Sequence, residues 1–233
     1  MIIGVFQSKY YRNIENVYGD DGMKKLLIWG AGDQGAVTLD CALAMNKYSK
    51  IDMLDFKEKG HRQIPDFLIY EENKEDIEKL MKLYDEVIVA TGDNELRKIK
   101  TMKLLSMGIS FATIIHPTAI INLSAKISQG TTILAGAVIN INSEIGIGCI
   151  INTQTVIEHD CIIKNFTNIC PKVSIAGHVN VGERVFMGIG STVINNIKIG
   201  KGSIIGAGAT VIKNIPENVV AVGVPAKIIK KKL

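Results

Sequence analysis

Thr155-Val156-Ile157-Glu158-His159-Asp160-Cys161-Ile162-Ile163 carries the two features that decide how this 233-residue chain is read. Isoleucines stand six positions apart, at 157 and 163, and a His-Asp pair lies between them. The spacing extends far in both directions. A branched or flexible apolar residue recurs every sixth position without a gap from Ile121 through Ile127, Ile133 and Ile139 to Ile199, Ile205 and Val211. Four residues after each stands a second, mostly smaller residue, among them Ala125, Thr131, Ala137, Ser143, Cys149, Thr155, Cys161, Thr167 and Ala209.

Period six excludes an α-helix, whose ~3.6 residues per turn would smear these side chains around the cylinder. It also excludes a hairpin meander, whose strands alternate with period two between irregular turns. A solenoid accounts for it. Each hexad supplies one short strand and one corner, and three hexads close a triangular coil of about 18 residues. The large residue points inward and the small one fills the corner. Roughly five coils follow, with no long loop between 121 and 211. Gly130, Gly136, Gly146, Gly148, Gly182, Gly188, Gly190, Gly200, Gly202, Gly206 and Gly208 are expected at corners of positive φ.

The segment before the solenoid alternates strands and helices, the pattern of a small parallel α/β domain. Strands are expected at Lys25–Trp29, Ile51–Asp55 and Glu86–Ala90, and helices at Ala36–Met45, Glu71–Leu83 and Asn94–Met107, the last ended by Gly108. His116-Pro117 joins this domain to the coils. The boundaries are 1–22 for a flexible extension ahead of Met23, 23–114 for the α/β domain and 115–233 for the solenoid and its tail.

Composition narrows the class further. Apolar residues make up 47% of the chain, with Ile and Val far ahead of aromatics, which favours sheet. A net charge of +4 with scattered lysines does not call for nucleic acid. Cys41, Cys149, Cys161 and Cys170 have no CxxC spacing and read as reduced, buried thiols. No run approaches the ~20 apolar residues of a membrane span, and the start lacks a signal sequence, so a cytoplasmic location is expected.

Two places offer chemistry. Gly30-Ala31-Gly32-Asp33-Gln34-Gly35 directly follows a strand and opens a helix, where a helix N-terminus cradles phosphate. Half a dinucleotide site suits a sugar nucleotide better than NAD. Asp55 is either an acceptor for ribose or base or a solvated strand-end acid. Gly92-Asp93-Asn94 either completes the rim or caps a helix. Among the histidines, His61 falls in a polar loop, and His116 at the junction reads as structural. His159 lies at a corner on the outer surface, and one coil onward stands Gly177, which would leave room beside the imidazole for a ligand. His178 stacks one coil beyond Asp160 as a rival base without an acidic neighbour of its own. Two histidines in the repeats are too few for a three-histidine zinc site, so no metal is expected.

The hexad pattern is that of hexapeptide-repeat acyltransferases, and the resemblance implies a left-handed coil where the general crossover rule would give a right-handed one. From Lys24 onward the chain resembles the NeuD-type family of sugar acetyltransferases, which includes N-acetyltransferases of nucleotide-linked 4-amino sugars. The likeness rests on Ile28-Trp29-Gly30-Ala31-Gly32, Ala90-Thr91-Gly92-Asp93-Asn94-Glu95-Leu96-Arg97, Ile115-His116-Pro117 and Ile151-Asn152-Thr153. It continues through the His159 segment and Ile175-Ala176-Gly177 to Val222-Gly223-Val224-Pro225-Ala226-Lys227.

The resemblance implies acetyl transfer from acetyl-CoA, in a homotrimer with active sites between solenoids. His159 is similar to the family's general base, supported by Asp160. Asn168 stands where members often carry a second His, nine residues on, and its amide would serve as oxyanion donor. Gly177, Gly188, Ala207 and Gly223 are similar to acetyl-CoA-binding positions. Gly30, Gly32, Asp55, Gly92, Asn94 and, weakly, Asn152 are similar to nucleotide-sugar positions. The Lys227–Lys232 tail is read as a solvated basic end rather than a contact for CoA phosphates. The expected activity is N-acetylation of a nucleotide-linked 4-amino-4,6-dideoxy sugar. The alternatives are O-acetylation of a sialic-acid-like sugar and a non-catalytic scaffold that binds sugar nucleotides.

Overall fold

A computed structural model of the chain describes residues 11–12, 23–56 and 67–231. The expectations for His61, for Lys232 and for most of segment 1–22 lie outside the described residues. Within that segment β1 (Tyr11–Arg12) pairs antiparallel with Ile121 and Asn122 at the edge of the first solenoid face.

The α/β domain holds a four-stranded parallel sheet of order β4-β3-β2-β5, with β2 at Lys24–Trp29, β3 at Tyr48–Asp55, β4 at Ile69–Glu71 and β5 at Glu86–Val89. The sheet has one strand more than the sequence suggests. β4 is a half-buried edge strand of three residues, too short and too polar to show an apolar pattern. Its Glu71 was expected to open a helix, because the acids and lysines that follow are spaced as helical pairs. Instead Glu71 pairs with Asp55, a turn follows, and helix α2 runs only over Ile77–Met81. The Asp76 side chain sets its start by accepting the Lys79 N–H. Helix α1 (Asp33–Ala44) begins one turn earlier than expected, and α3 (Asn94–Ser106) is capped by Asp93.

From Ile114 the chain forms a left-handed parallel β-helix. Two-residue strands stack every 18 residues on three faces, as in Ile139, Ile157, Ile175, Val193 and Val211. The hexad residues form one continuous core, closed at the corners by Cys149, Cys161, Thr155 and their equivalents. Burying such an Ile stabilises by about 1.5–3 kcal/mol, in keeping with an apolar residue at every ladder position.

The corners correct one expectation. Every sixth residue from Gly130 to Gly208 has positive φ, yet many of these are Asn142, Gln154, Asp160, Phe166, His178 and Arg184 rather than glycine. Gly146, Gly182, Gly188, Gly200 and Gly206 are not at positive φ. They are glycine because the next coil passes too close: a Cβ at 188 would stand 2.5 Å from the Ala207 nitrogen.

The three faces differ. The first shows Val138, Val156, Ser174, Thr192 and Thr210 outward, all uncharged, with Glu158 held by Asn140 toward the His159 corner. The second shows Lys126, Glu144, Ile162, Asn180 and Lys198. The third is covered in part by the α/β domain: Ile114 packs in that domain's core while its neighbour Ile115 packs in the solenoid's. Among the described residues no helix is long and apolar enough to cross a membrane.

Candidate active site

His159 and Asp160 form the corner between the strands Val156–Ile157 and Ile162–Ile163. Asp160 takes the left-handed conformation there, with φ +57°. That turns its carboxylate back onto the preceding ring, and Oδ2 lies 2.8 Å from His159 Nδ1. Asn142, one coil earlier, donates to Asp160 Oδ1 at 3.2 Å. These hydrogen bonds, from His159 first and then Asn142, hold the carboxyl below the usual carboxylate range. An ionised carboxylate only accepts, so His159 Nδ1 carries a proton, and in the neutral ring the lone pair is then on Nε2.

Gly177 does not leave the vacancy expected beside the imidazole, because the imidazole itself fills it. A Cβ at 177 would stand 2.5 Å from His159 Cε1 and 2.6 Å from Nε2. His178 also differs from its sequence reading. Its Nε2 lies 3.9 Å from Asp160 Oδ2, its ring stands edge-on to His159 at 5.0 Å, and its N–H donates to the His159 carbonyl. Asp160 therefore faces two imidazoles.

At the carboxyl ends of β2, β3 and β5 lies a cleft of about 460 Å³ that brings together Gly30, Gly32, Asp55 and Gly92. Gly30 has φ +132°, and a Cβ there would strike the Ala90 carbonyl at 2.3 Å. The N-cap of α1, Gly32, provides no side-chain acceptor, and with Asp33 and Gln34 it lines the cleft, so the N-terminal end of the helix borders it. Asp55 fits neither of its two sequence readings fully. Its Oδ2 accepts the Ala31 N–H at 2.7 Å and so fixes the loop, while a carboxylate retains further lone pairs for a ligand. Lys100 has no distinguishing motif in the sequence, yet it lines the cleft, pairs with Glu72 at 2.8 Å and lies 4.5 Å over the Trp29 ring. It sits on α3 among several other lysines.

The remaining candidates are placed elsewhere. Asn94 donates to the Arg184 and Val185 carbonyls at 3.1 Å and so joins the two domains. Asn168 is on the third solenoid face, 5% exposed, with its amide 3.4 Å from the Gly92 carbonyl and away from the His159 corner. Asn152 accepts the Thr153 N–H at 2.8 Å. Gly188, Ala207 and Gly223 lie on the corner between the third and first faces, so they flank the first face on the edge opposite His159 and Gly177.

Arg97 was not singled out by the sequence either. It is 1% exposed, and its guanidinium donates to the carbonyls of Gly148, Thr91 and Phe166 and to Asn94 Oδ1 at 2.7–2.8 Å. Burial lowers its pKa to about 10. Its hydrogen-bond acceptors are carbonyl and amide oxygens, and it binds α3 to two coils.

A phosphate-ready α/β domain on a hexapeptide solenoid with an exposed His-Asp corner defines the class as hexapeptide-repeat acyltransferases. Residues 25–104 match the PglD N-terminal domain family. A variant of GDP-perosamine N-acetyltransferase from Caulobacter crescentus, in complex with CoA and GDP-perosamine, is 32% identical with TM-score 0.82, over 91% of this chain and 99% of that one. The acetyltransferase domain of PglB from Neisseria gonorrhoeae, in complex with acetyl coenzyme A, is 29% identical with TM-score 0.81, over 89% and 100%. UDP-N-acetylbacillosamine N-acetyltransferase from Bacillus subtilis is 38% identical over 48% of this chain and 52% of its own length. The chain spans about half the length, or less, of the curated relatives it matches. It belongs to the NeuD-type sugar acetyltransferase family.

Proposed function

We propose that the protein transfers the acetyl group of acetyl-CoA to the amine of a nucleotide-linked 4-amino-4,6-dideoxy sugar, with His159 as general base. The observation that carries this is the His159–Asp160 contact, which orients the ring through Nδ1 on an exposed corner and leaves Nε2 as the nitrogen free to take a proton in the neutral ring. The complexes of its relatives with CoA and GDP-perosamine or with acetyl-CoA support the substrates.

In this reading the neutral amine attacks the thioester carbonyl, and the C–N bond forms. Nε2 takes the amine proton, the C–S bond breaks, and the thiolate leaves with a proton returned by the imidazolium. Asp160 steadies the charge on the ring in between. Such assistance is typically worth about 10²–10⁴ in rate. The cysteines are poor nucleophiles, since burial pushes Cys149 and Cys170 to about 11 and Cys41, with help from Asp40, to about 12. Direct attack therefore suits the chain better than an acyl-enzyme. Asn168, turned toward Gly92, is given no part in the step.

A homotrimer fits the split of candidate residues over two edges of one face whose strand positions are uncharged. In a cyclic assembly one copy's His159 edge meets the next copy's Gly188–Ala207 edge, which places the thioester beside the base. The Gly30–Gly32 cleft would hold the nucleotide. The test is to offer purified protein acetyl-CoA with GDP-, UDP- and dTDP-linked 4-amino sugars and with hydroxyl sugars, and to read product masses. Acetylation confined to the hydroxyl sugars, or none at all, would overturn the proposal.

A further inference from the structure

We propose that His159, Asp160 and His178 form a binding site for one divalent transition-metal ion, of which Zn2+ is the best fit, and that the ion switches off the base. The switching half rests on the reading of His159 given above; the binding half does not. Two histidines fall short of a three-histidine zinc site, but a carboxylate is equally a zinc donor.

The geometry is already close to that of a metal site. Donor atoms of all three residues lie within 4.8 Å of one another. Asp160 Oδ2 is 2.8 Å from His159 Nδ1 and 3.9 Å from His178 Nε2. Zinc–nitrogen and zinc–oxygen bonds of about 2.0–2.2 Å at tetrahedral angles set donors roughly 3.3 Å apart, a separation these two distances bracket. The frame is firm. His159 is pressed against Gly177, Asp160 and His178 occupy left-handed corners exactly one coil apart, and the His178 N–H is bonded to the His159 carbonyl. The side chains are 46%, 37% and 55% exposed, so an ion has a route in and a fourth position stays open to water.

Coordination by His159 Nδ1 displaces its proton, and the neutral ring then carries its proton on Nε2. The lone pair that would accept the amine proton is gone, with no change in the fold.

Titrating the full chain with Zn2+ by calorimetry, beside turnover at the same zinc levels, tests this. His178→Asn removes one donor and keeps a residue that accepts the left-handed corner. His116→Ala is the control, since His116 contacts Thr118 at the junction, away from the corner. We expect one ion per chain in the wild type and the control, and affinity at least about tenfold weaker in His178→Asn, because even an outer-shell partner of a metal ligand is worth ~10–100-fold. Turnover should fall as the site fills, at tenfold higher zinc in the variant. No binding in the wild type, or undiminished binding in His178→Asn, overturns the site. Full occupancy with unchanged turnover overturns the switch. Calorimetry does not depend on turnover, so a failure of the acetyl-transfer reading leaves the binding result intact.

Discussion

The His159 imidazole lies on the backbone of Gly177, with Nε2 2.6 Å from where a Cβ would be. Glycine at 177 is thus the floor on which the ring rests. Gly177→Ala should tilt the ring off Asp160 and cut kcat between about tenfold and a hundredfold, a partial loss that reaches only the lower end of the ~10²–10⁴ assigned to a general base. The melting temperature should change little, because the corner is exposed. Steady-state kinetics and a thermal melt on the same preparation check both halves.

Asp160→Asn keeps a residue tolerant of φ +57° but removes the charge that fixes the proton on Nδ1. An amide can donate to Nδ1 as well as accept, which puts the proton on Nε2 in part of the population. Turnover should fall at least about tenfold, with KM for acetyl-CoA nearly unchanged. An equal change in KM would point to binding instead.

Glu86 gives a pH signature of folding. Burial raises its pKa, but hydrogen bonds from Lys24, Tyr48 and Lys47 outweigh that and hold it below the usual range. A carboxylate lowered in the folded state stabilises the fold above the unfolded pKa of ~4.3 and loses that contribution as pH falls through the lower folded value. Melts between pH 6 and 3 should show the wild type losing stability more steeply than Glu86→Gln.

Arg97 is expected to be costly to remove. Arg97→Ala leaves the buried carbonyls of Gly148, Thr91 and Phe166 without their donor, each worth about 1–3 kcal/mol. Urea unfolding should show a loss of about 3 kcal/mol or more. Arg97→Lys should recover little of it, since an ammonium cannot match the planar fork.

The solenoid was legible because a three-sided coil forces identical geometry on every sixth residue, and Ile121 to Val211 record it directly. The His159 corner was legible for the same reason: adding 18 to a residue number finds its neighbour. What that arithmetic missed was side-chain direction. It put Gly177 beside an empty space and left His178 without an acid, because neither the tilt of the His159 ring nor the turn of Asp160 is encoded in spacing. The α/β domain was legible where strands are fully buried, at β2 and β5, and misread at Glu71–Leu83, where a charge pattern mimicked a helix. Arg97 was invisible because its partners are backbone carbonyls, and any sequence supplies those.

Ile114 and Ile115 place consecutive side chains in the two separate cores, so one peptide unit is the entire linker between them. A joint with no slack cannot serve as a hinge. The distance from the cleft at Gly30 to the solenoid corners is therefore built in, and a donor and acceptor that meet on this protein must have the reach to do so themselves. Separate expression of either half would strip a wall from the other, so the two are expected to fold and melt as one.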